Sequence, residues 1–349
     1  MSVALNNTPG SPSRRRLWGV LQGLFTLALT LFGLLVITFF LSALSPVDRV
    51  LQIVGDHASE ATYQQVKHQL GLDQPLPVQF WHYLVRLLHG DLGTASASGQ
   101  PVLQDLLTVF PASLELATLS LVIGAALGVI LGLLCARWAG SKLDATIRFI
   151  TLLGNSVPIF WLGLLMLLLF YARLQWSPGP GRLDDIYQYT VEAKTGFALI
   201  DTWRSDDAGA FSNAIAHLIL PVSLLSYYAL ASITRLTRSA CLSELNKEYI
   251  TLARAKGAGE MRILLMHVLP NIRGTLLTVI ALAYTSMLEG AVLTETVFAW
   301  PGIGRYLTSA LFAGDTTAIM GGTLLLGICF ILINNVTDLL VRLLDPRTR

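Results

Sequence analysis

Long apolar runs separated by polar stretches dominate the chain. Leu17–Leu44 holds 28 residues without a charged side chain. As a helix it reaches about 42 Å at 1.5 Å per residue, more than the roughly 30 Å of a bilayer's hydrocarbon core. Comparable runs at 113–136, 148–172, 214–236, 274–298 and 317–341 predict five further helices. The reading is an all-α membrane protein with six transmembrane helices. An even number places both termini on the same side. Arg14, Arg15 and Arg16 before the first run raise the competing reading of a signal peptide. The run is longer than a signal-peptide core and ends without a clean small-residue cleavage site, so an uncleaved helix is expected.

The polar stretches set the organisation. Residues 1–16 are expected to form an irregular N-terminus, and 17–349 a single membrane domain. Segments 45–112 and 173–213 are long connections carrying short helices. Ser177-Pro-Gly-Pro-Gly181 is a turn cluster that regular helix cannot accommodate. Phe298-Ala-Trp-Pro-Gly-Ile-Gly-Arg305 interrupts the chain after the fifth run. Trp300, Pro301 and Gly302 are candidate residues of the mouth on that side, since non-helical backbone near membrane depth is tolerated beside protein or a wet cavity. The remaining long polar segment, about 237–273, combines good helix formers with Gly257 and Gly259. A helix over Ala240–Ala255, ended by Gly257, and a second running to Leu269 before Pro270 are predicted there.

Composition excludes an ordinary soluble domain: 53% of residues are hydrophobic and 13% charged. Charge then gives orientation. If the N-terminus is inside, the inner segments hold 16 of the 24 basic residues against six acidic ones, a balance of +10, and the outer side is net acidic. This asymmetry predicts cytoplasmic termini. The segment 237–273 then lies inside, where a basic helical rod suits docking into a groove on a soluble partner. A solvated loop explains its charges but not its helix–Gly–helix plan.

Candidate chemistry is sparse. There is no phosphate-binding Gly-rich loop, no His-Glu-x-x-His and no Gly-x-Ser-x-Gly. Cys135, Cys241 and Cys329 are scattered, and His82 and His89 lack further ligands for a closed metal site. Neither an enzyme nor a nucleic-acid binder is indicated. Acidic residues inside spans point to function by default. Glu115 lies near the outer end of the second run, within reach of water, and for it a structural hydrogen bond to a neighbouring helix is the favoured reading. Glu289 is deeper, and with Ser286 and Thr294 it forms the candidate translocation pathway. A hydrogen bond between helices, helped by Thr285 and Ser286, is the structural alternative for Glu289. Asn334, Asn335 and Asp338 invite the same structural reading.

Tyr249-Ile-Thr-Leu-Ala-Arg-Ala-Lys-Gly257, nine residues, then His267-Val-Leu-Pro270 resembles the inner-loop signature of binding-protein-dependent ABC importer permeases. The family pattern has Glu-Ala-Ala where this chain has Thr251, Leu252 and Ala253, and Ile at His267. Leu70-Gly-Leu-Asp-Gln-Pro75, His89-Gly-Asp-Leu-Gly93, Ser156-Val-Pro-Ile-Phe-Trp161, His217-Leu-Ile-Leu-Pro221 and Leu293-Thr-Glu-Thr-Val-Phe-Ala-Trp-Pro-Gly302 are similar to its dipeptide, oligopeptide and nickel branch, over roughly 17–346. Ser45-Pro-Val-Asp-Arg49 departs from the branch's usual turn.

The resemblance implies a type I importer permease fold in the bacterial inner membrane. It implies a second, homologous permease subunit, two ATP-binding subunits carrying ATP and Mg, and an extracytoplasmic solute-binding protein; no cofactor is expected in this chain itself. Glu248, Tyr249, Ala253, Arg254, Ala255, Lys256 and Gly257 would be the coupling helix that engages an ATPase subunit. Small peptides are the expected cargo, and nickel or a metal–chelator complex is the rival. The length of the segment around Thr195–Asp201 favours peptides. Two other classes stay open from the residues alone: an ion-coupled secondary transporter, which should show charge pairs and broken helices in symmetric halves, and a membrane scaffold using the same rod for docking.

Overall fold

A computed structural model describes residues 12–44, 48–55 and 57–344. The side chains of 12–24, 41, 49, 52, 289, 290, 338 and 342–344 lie outside that description. The described chain is almost wholly helical: α1 (Pro12–Ala43), α2 (Arg49–Val54), α3 (Glu60–Gln69), α4 (Leu76–Leu88), α5 (Val102–Arg137), α6 (Lys142–Ser156), α7 (Ile159–Met166), α8 (Asp185–Thr190), α9 (Ala198–Arg204), α10 (Ala210–Leu245), α11 (Glu248–Ala255), α12 (Glu260–Arg262), α13 (Leu269–Val297), α14 (Ile303–Ala313) and α15 (Thr316–Leu344). Helix α1 begins at Pro12, within the stretch expected to be irregular; residues 1–11 are outside the described residues, as is part of the 45–49 turn.

Four segments are long and apolar enough to cross a membrane: α5, α10, Glu260–Leu288 and most of α15. The fifth is broken. Where one straight span over 148–172 is expected, α6 and α7 meet at 101° around Val157-Pro158. Pro158 cannot supply a backbone donor and biases Val157 out of helical geometry, and Val157 is indeed extended (ψ 130°). The first expected span falls in α1, whose described apolar stretch is Phe25–Phe40. The protein is thus an all-α, multi-pass bundle with four to five clear spans, not six uniform ones.

Helix limits depart from expectation for identifiable reasons. Helix α5 starts eleven residues early and continues through Pro111; interior prolines are tolerated in membrane helices where the freed groups find other partners. Helix α10 runs on to Leu245, so the expected Ala240–Ala255 helix is really the end of α10, a short turn, and α11. Pro270 does not end its helix. A wider π turn over Ile263–Val268 precedes it, and that local widening accommodates the ring and missing donor, so α12 runs through into α13.

The core is built on α5 against α10. Gly124, Gly128 and Gly132 form one stripe on α5. A Cβ there would lie 2.8 Å from the Ser226 carbonyl, 2.9 Å from Ile233 Cβ and 2.5 Å from Thr237 Cβ. Small residues at this spacing let two helix backbones approach closely. Leu116, Leu225, Ile233, Met287, Leu288 and Trp300 fill the buried centre between α5, α10 and α13. Helix α1 packs on α15 and on α4, with Phe39 against Phe80 and Tyr83.

Candidate functional site

The expected rod is present as α11, seated on one buried anchor. Ile250 is fully buried among Cys241, Ile263, Leu264, Val268 and Ile272. That anchors one side of α11 to the bundle and leaves Glu248, Thr251, Leu252, Arg254 and Ala255 exposed. Gly257 closes the helix at φ +81°, a left-handed conformation that costs other residues about 1–2 kcal/mol. Its N–H bonds to the Arg254 carbonyl at 2.9 Å and the Ala258 N–H to the Ala253 carbonyl at 3.1 Å, satisfying the helix end.

Side chains brace this rod. Arg254 donates from Nε to Glu260 Oε1 at 2.7 Å and from a terminal nitrogen to Oε2 at 3.2 Å. This paired contact raises the Arg254 pKa from its ordinary value and ties α11 to the start of α12. The Tyr249 hydroxyl donates to Glu244 Oε1 at 2.7 Å, and Glu244 Oε2 lies 2.6 Å from Lys247 Nζ. Asn271 donates to the Tyr249 hydroxyl at 3.2 Å, reaching the beginning of α13. Tyr249, Leu252, Ala253, Lys256, Gly257 and His267 line a hollow beside the rod. Side-chain bonds therefore tie α11 to both α10 and α13.

The opposite end of the bundle holds buried charge. Glu115 does not snorkel to water but is buried in the protein, hydrogen-bonded as the structural reading has it. Arg182 donates to it, and it also accepts from the backbone N–H groups of Ala198 and Leu199, the latter at 2.8 Å. Arg182 additionally bonds the Gly196 carbonyl at 2.8 Å and lies 5.5 Å from the Trp300 ring centroid. One residue of the 173–213 segment thus neutralises α5's acid and binds that segment to the bundle. His217 does the same from α10: its ring nitrogens lie 3.1 Å from the Gly181 carbonyl and 3.1 Å from Asp184 Oδ1.

Glu295, which the sequence reading passed over, is the deepest carboxylate here and is fully buried. It accepts from Ser113 Oγ at 2.6 Å and from the N–H groups of Gly304 at 2.7 Å and Arg305 at 3.1 Å, so it caps α14 from the neighbouring α13. A side chain on Gly302 would start 2.4 Å from that carboxylate. Of the mouth candidates, Trp300 is fully buried with Nε1 donating to the Ala112 carbonyl at 2.9 Å, Gly302 is buried, and Pro301 is exposed. The segment is a packed closure of the helix end. The Glu-x-x-x-x-x-Pro-Gly spacing, an acid ahead of a helix start rich in Gly, is the signal that could have revealed Glu295.

The pathway candidates separate. Thr294 is fully buried, its hydroxyl without a hydrogen-bond partner among the described residues. Ser286 is exposed and lines an open hollow of about 340 Å³ with Asn155, Ser156, Val157, Pro158 and Tyr228. Glu289 lies one turn beyond Ser286 on α13, and its side chain is outside the described residues. Among the described residues no group of three or more His, Cys, Asp or Glu side chains could hold a metal ion.

An all-helical, multi-pass bundle with a braced rod projecting from one end has the form of a membrane permease subunit. Residues 128–349 match the family described as binding-protein-dependent transport system inner membrane component, and residues 17–117 match the N-terminal part of such a membrane component. The chain belongs to that family of ABC-importer permeases. It is 44% identical over 334 residues to the "Probable D,D-dipeptide transport system permease protein DdpB" of Escherichia coli K12, covering 96% of each chain. It is 41% identical to the di/tripeptide permease protein DppB of Pseudomonas aeruginosa and 38% identical to the dipeptide permease protein DppB of Escherichia coli K12, each over 92% of this chain and 95% of the relative. The fold matches a chain of the inward-facing MetNI methionine ABC transporter with a TM-score of 0.51 at 20% identity, covering 67% of this chain and 93% of that one.

Proposed function

We propose that this chain is a permease subunit of an ATP-driven importer that carries small peptides across the bacterial cytoplasmic membrane. The observation that carries the cargo class is near full-length similarity to three permeases named for dipeptide or tripeptide transport. Nickel or a metal chelate is the rival cargo, and nothing on the described lining favours it.

In this reading the subunit pairs with a second permease, two ATP-binding subunits carrying ATP and Mg, and an extracytoplasmic binding protein. With α1 as a sixth span both termini are cytoplasmic, as the charge asymmetry supports. Helix α11, with Glu248, Tyr249, Ala253, Arg254, Ala255, Lys256 and Gly257, is the coupling helix. Its exposed face contacts an ATPase subunit, and the Tyr249–Glu244 and Tyr249–Asn271 bonds carry the displacement into α10 and α13. ATP binding shifts the bundle only if that contact differs between the two states. The packed ends around Trp300 and Glu295 move as a block, and Glu289, Ser286 and Thr294 sit on the helix that would be displaced.

ATP hydrolysis measured on the chain alone and on the chain co-expressed with candidate permease and ATPase partners tests this. Hydrolysis stimulated by alanyl-alanine plus binding protein is expected in the assembled complex alone. A complete complex that hydrolyses no ATP contradicts it, and stimulation by nickel chelates instead of peptides reassigns the cargo.

A further inference from the structure

Resting on the importer reading above, we infer that the hollow formed by Asn155, Ser156, Tyr228 and Ser286 is a cargo-contacting part of the transport path, and that it engages the peptide backbone through uncharged hydrogen-bonding groups. Three separate elements bring these residues to mid-depth. Tyr228 is near the centre of the 36-residue α10, Ser286 lies past the middle of the 29-residue α13, and Asn155 and Ser156 end α6 where the broken span turns.

That convergence is costly unless it is used. Asn155, Ser156, Tyr228 and Ser286 are exposed on the bundle surface, and polar side chains at this depth face a protein or water-filled space rather than lipid. The 101° break after Ser156 adds the same requirement for backbone, because irregular chain is tolerated at membrane depth only where protein or a cavity covers it. Exposed surface nearby looks different: α7 and the π-helical stretch after it present Leu164, Leu168 and Leu169.

The chemistry of the lining indicates what it reads. Asn155 takes a bond from Ser232 at 3.3 Å and keeps its amide N–H₂. The Ser156 hydroxyl turns back to the Leu152 carbonyl at 2.9 Å and retains acceptor capacity. Among the described residues the lining carries amide, hydroxyl and phenol groups, the apolar walls Ile159, Leu225, Met287 and Leu293, and no charged side chain. Such a surface can pair with the amide N–H and C=O common to every peptide. Its described residues supply no fixed charge to select one side-chain charge over another.

The test uses the assembled complex in proteoliposomes, with Cys135, Cys241 and Cys329 replaced and parent uptake retained. Ser156→Cys and Ser286→Cys are expected to react with a membrane-impermeant cationic methanethiosulfonate, to be protected by alanyl-alanine with binding protein, and to lose uptake once modified. Leu168→Cys is expected to react only with a membrane-permeant maleimide. Asn155→Asp should lower uptake of alanyl-glutamate relative to alanyl-alanine, a charge preference absent from the parent. Absence of labelling at both serines in the resting and ATP-bound states overturns the inference, because the surface is then sealed by the second permease or by lipid. Labelling without loss of uptake also overturns it, placing the hollow in water but off the path. Failure of the unmodified complex to take up alanyl-alanine with ATP overturns the importer reading itself, and is seen before any cysteine is introduced.

Discussion

Ser113 Oγ lies 2.6 Å from Glu295 Oε1, joining α5 to α13 across 182 residues of sequence at a fully buried site. The same hydroxyl accepts the Ile303 N–H at 2.8 Å, and the carboxylate holds the Gly304 and Arg305 N–H groups. Two side chains therefore satisfy the first turn of α14, which lacks a cap of its own. Replacing Glu295 with Gln keeps the shape but turns one acceptor into a donor. The expected cost is about 1–3 kcal/mol for the buried groups left unpaired, read as a lower Tm of the purified subunit, with Ser113→Ala smaller in the same direction.

Arg182 and Glu115 give a second stability test. Removing Arg182 alone leaves a buried carboxylate without its counter-charge, which costs about 3–5 kcal/mol. Arg182→Met is expected to lose folded protein in detergent, and Arg182→Met with Glu115→Leu to recover much of it. A double variant no better than the single would show that the segment 173–213 is held chiefly by other contacts.

The stripe at Gly124, Gly128 and Gly132 sets the α5–α10 distance. Gly132→Ala places a methyl 2.5 Å from Thr237 Cβ. Over-packing of this kind costs about 1–3 kcal/mol, so Gly132→Ala should lower Tm. Gly33→Ala, with open space around its Cβ, should leave Tm unchanged.

Asp48 provides a pH dependence in the segment that follows α1. The Tyr63 hydroxyl donates to Asp48 Oδ2 at 2.8 Å, and the Val50 N–H to Oδ1 at 2.8 Å, capping α2 and tying it to α3. The Tyr63 bond is the main cause holding the Asp48 carboxyl below its ordinary value. A depressed folded-state pKa contributes stability that is present above the unfolded value, about 3.9, and is lost as pH falls through the folded one. Amide exchange in α2 is therefore expected to accelerate on acidification below that range, and Tyr63→Phe should shift the onset to higher pH.

Hydropathy made the spans legible because lipid-facing and core positions are both apolar, so the long runs survive whatever their environment. The same uniformity hid where they bend. Val157-Pro158 breaks its span, whereas Pro111 sits inside α5 and Pro270 within a continuous helix, and the sequence around each looks alike. What separates them is backbone geometry: α5 continues through Pro111, and a π turn precedes Pro270. Gly257 was readable because its left-handed geometry is a local demand, and the structure has it at φ +81°. The bonding of Glu115 was hidden for the converse reason. Its partner Arg182 lies 67 residues away in a segment with no pattern of its own, and Glu295 was overlooked because its ligands are mostly backbone N–H groups.

In the proposed importer α11 is the link to ATP hydrolysis, and Gly257 isolates that role. Its Cβ position is open, so Gly257→Ala adds only the strain of a left-handed alanine, about 1–2 kcal/mol, at the end of the rod. The decisive measurement is alanyl-alanine uptake by vesicles holding the complete complex, with and without ATP and a protonophore, for parent and Gly257→Ala. The expected result is parent uptake that requires ATP and survives the protonophore, with uptake reduced in Gly257→Ala while its ATPase subunits still co-purify. Uptake that persists without ATP and collapses with the ion gradient would contradict the account.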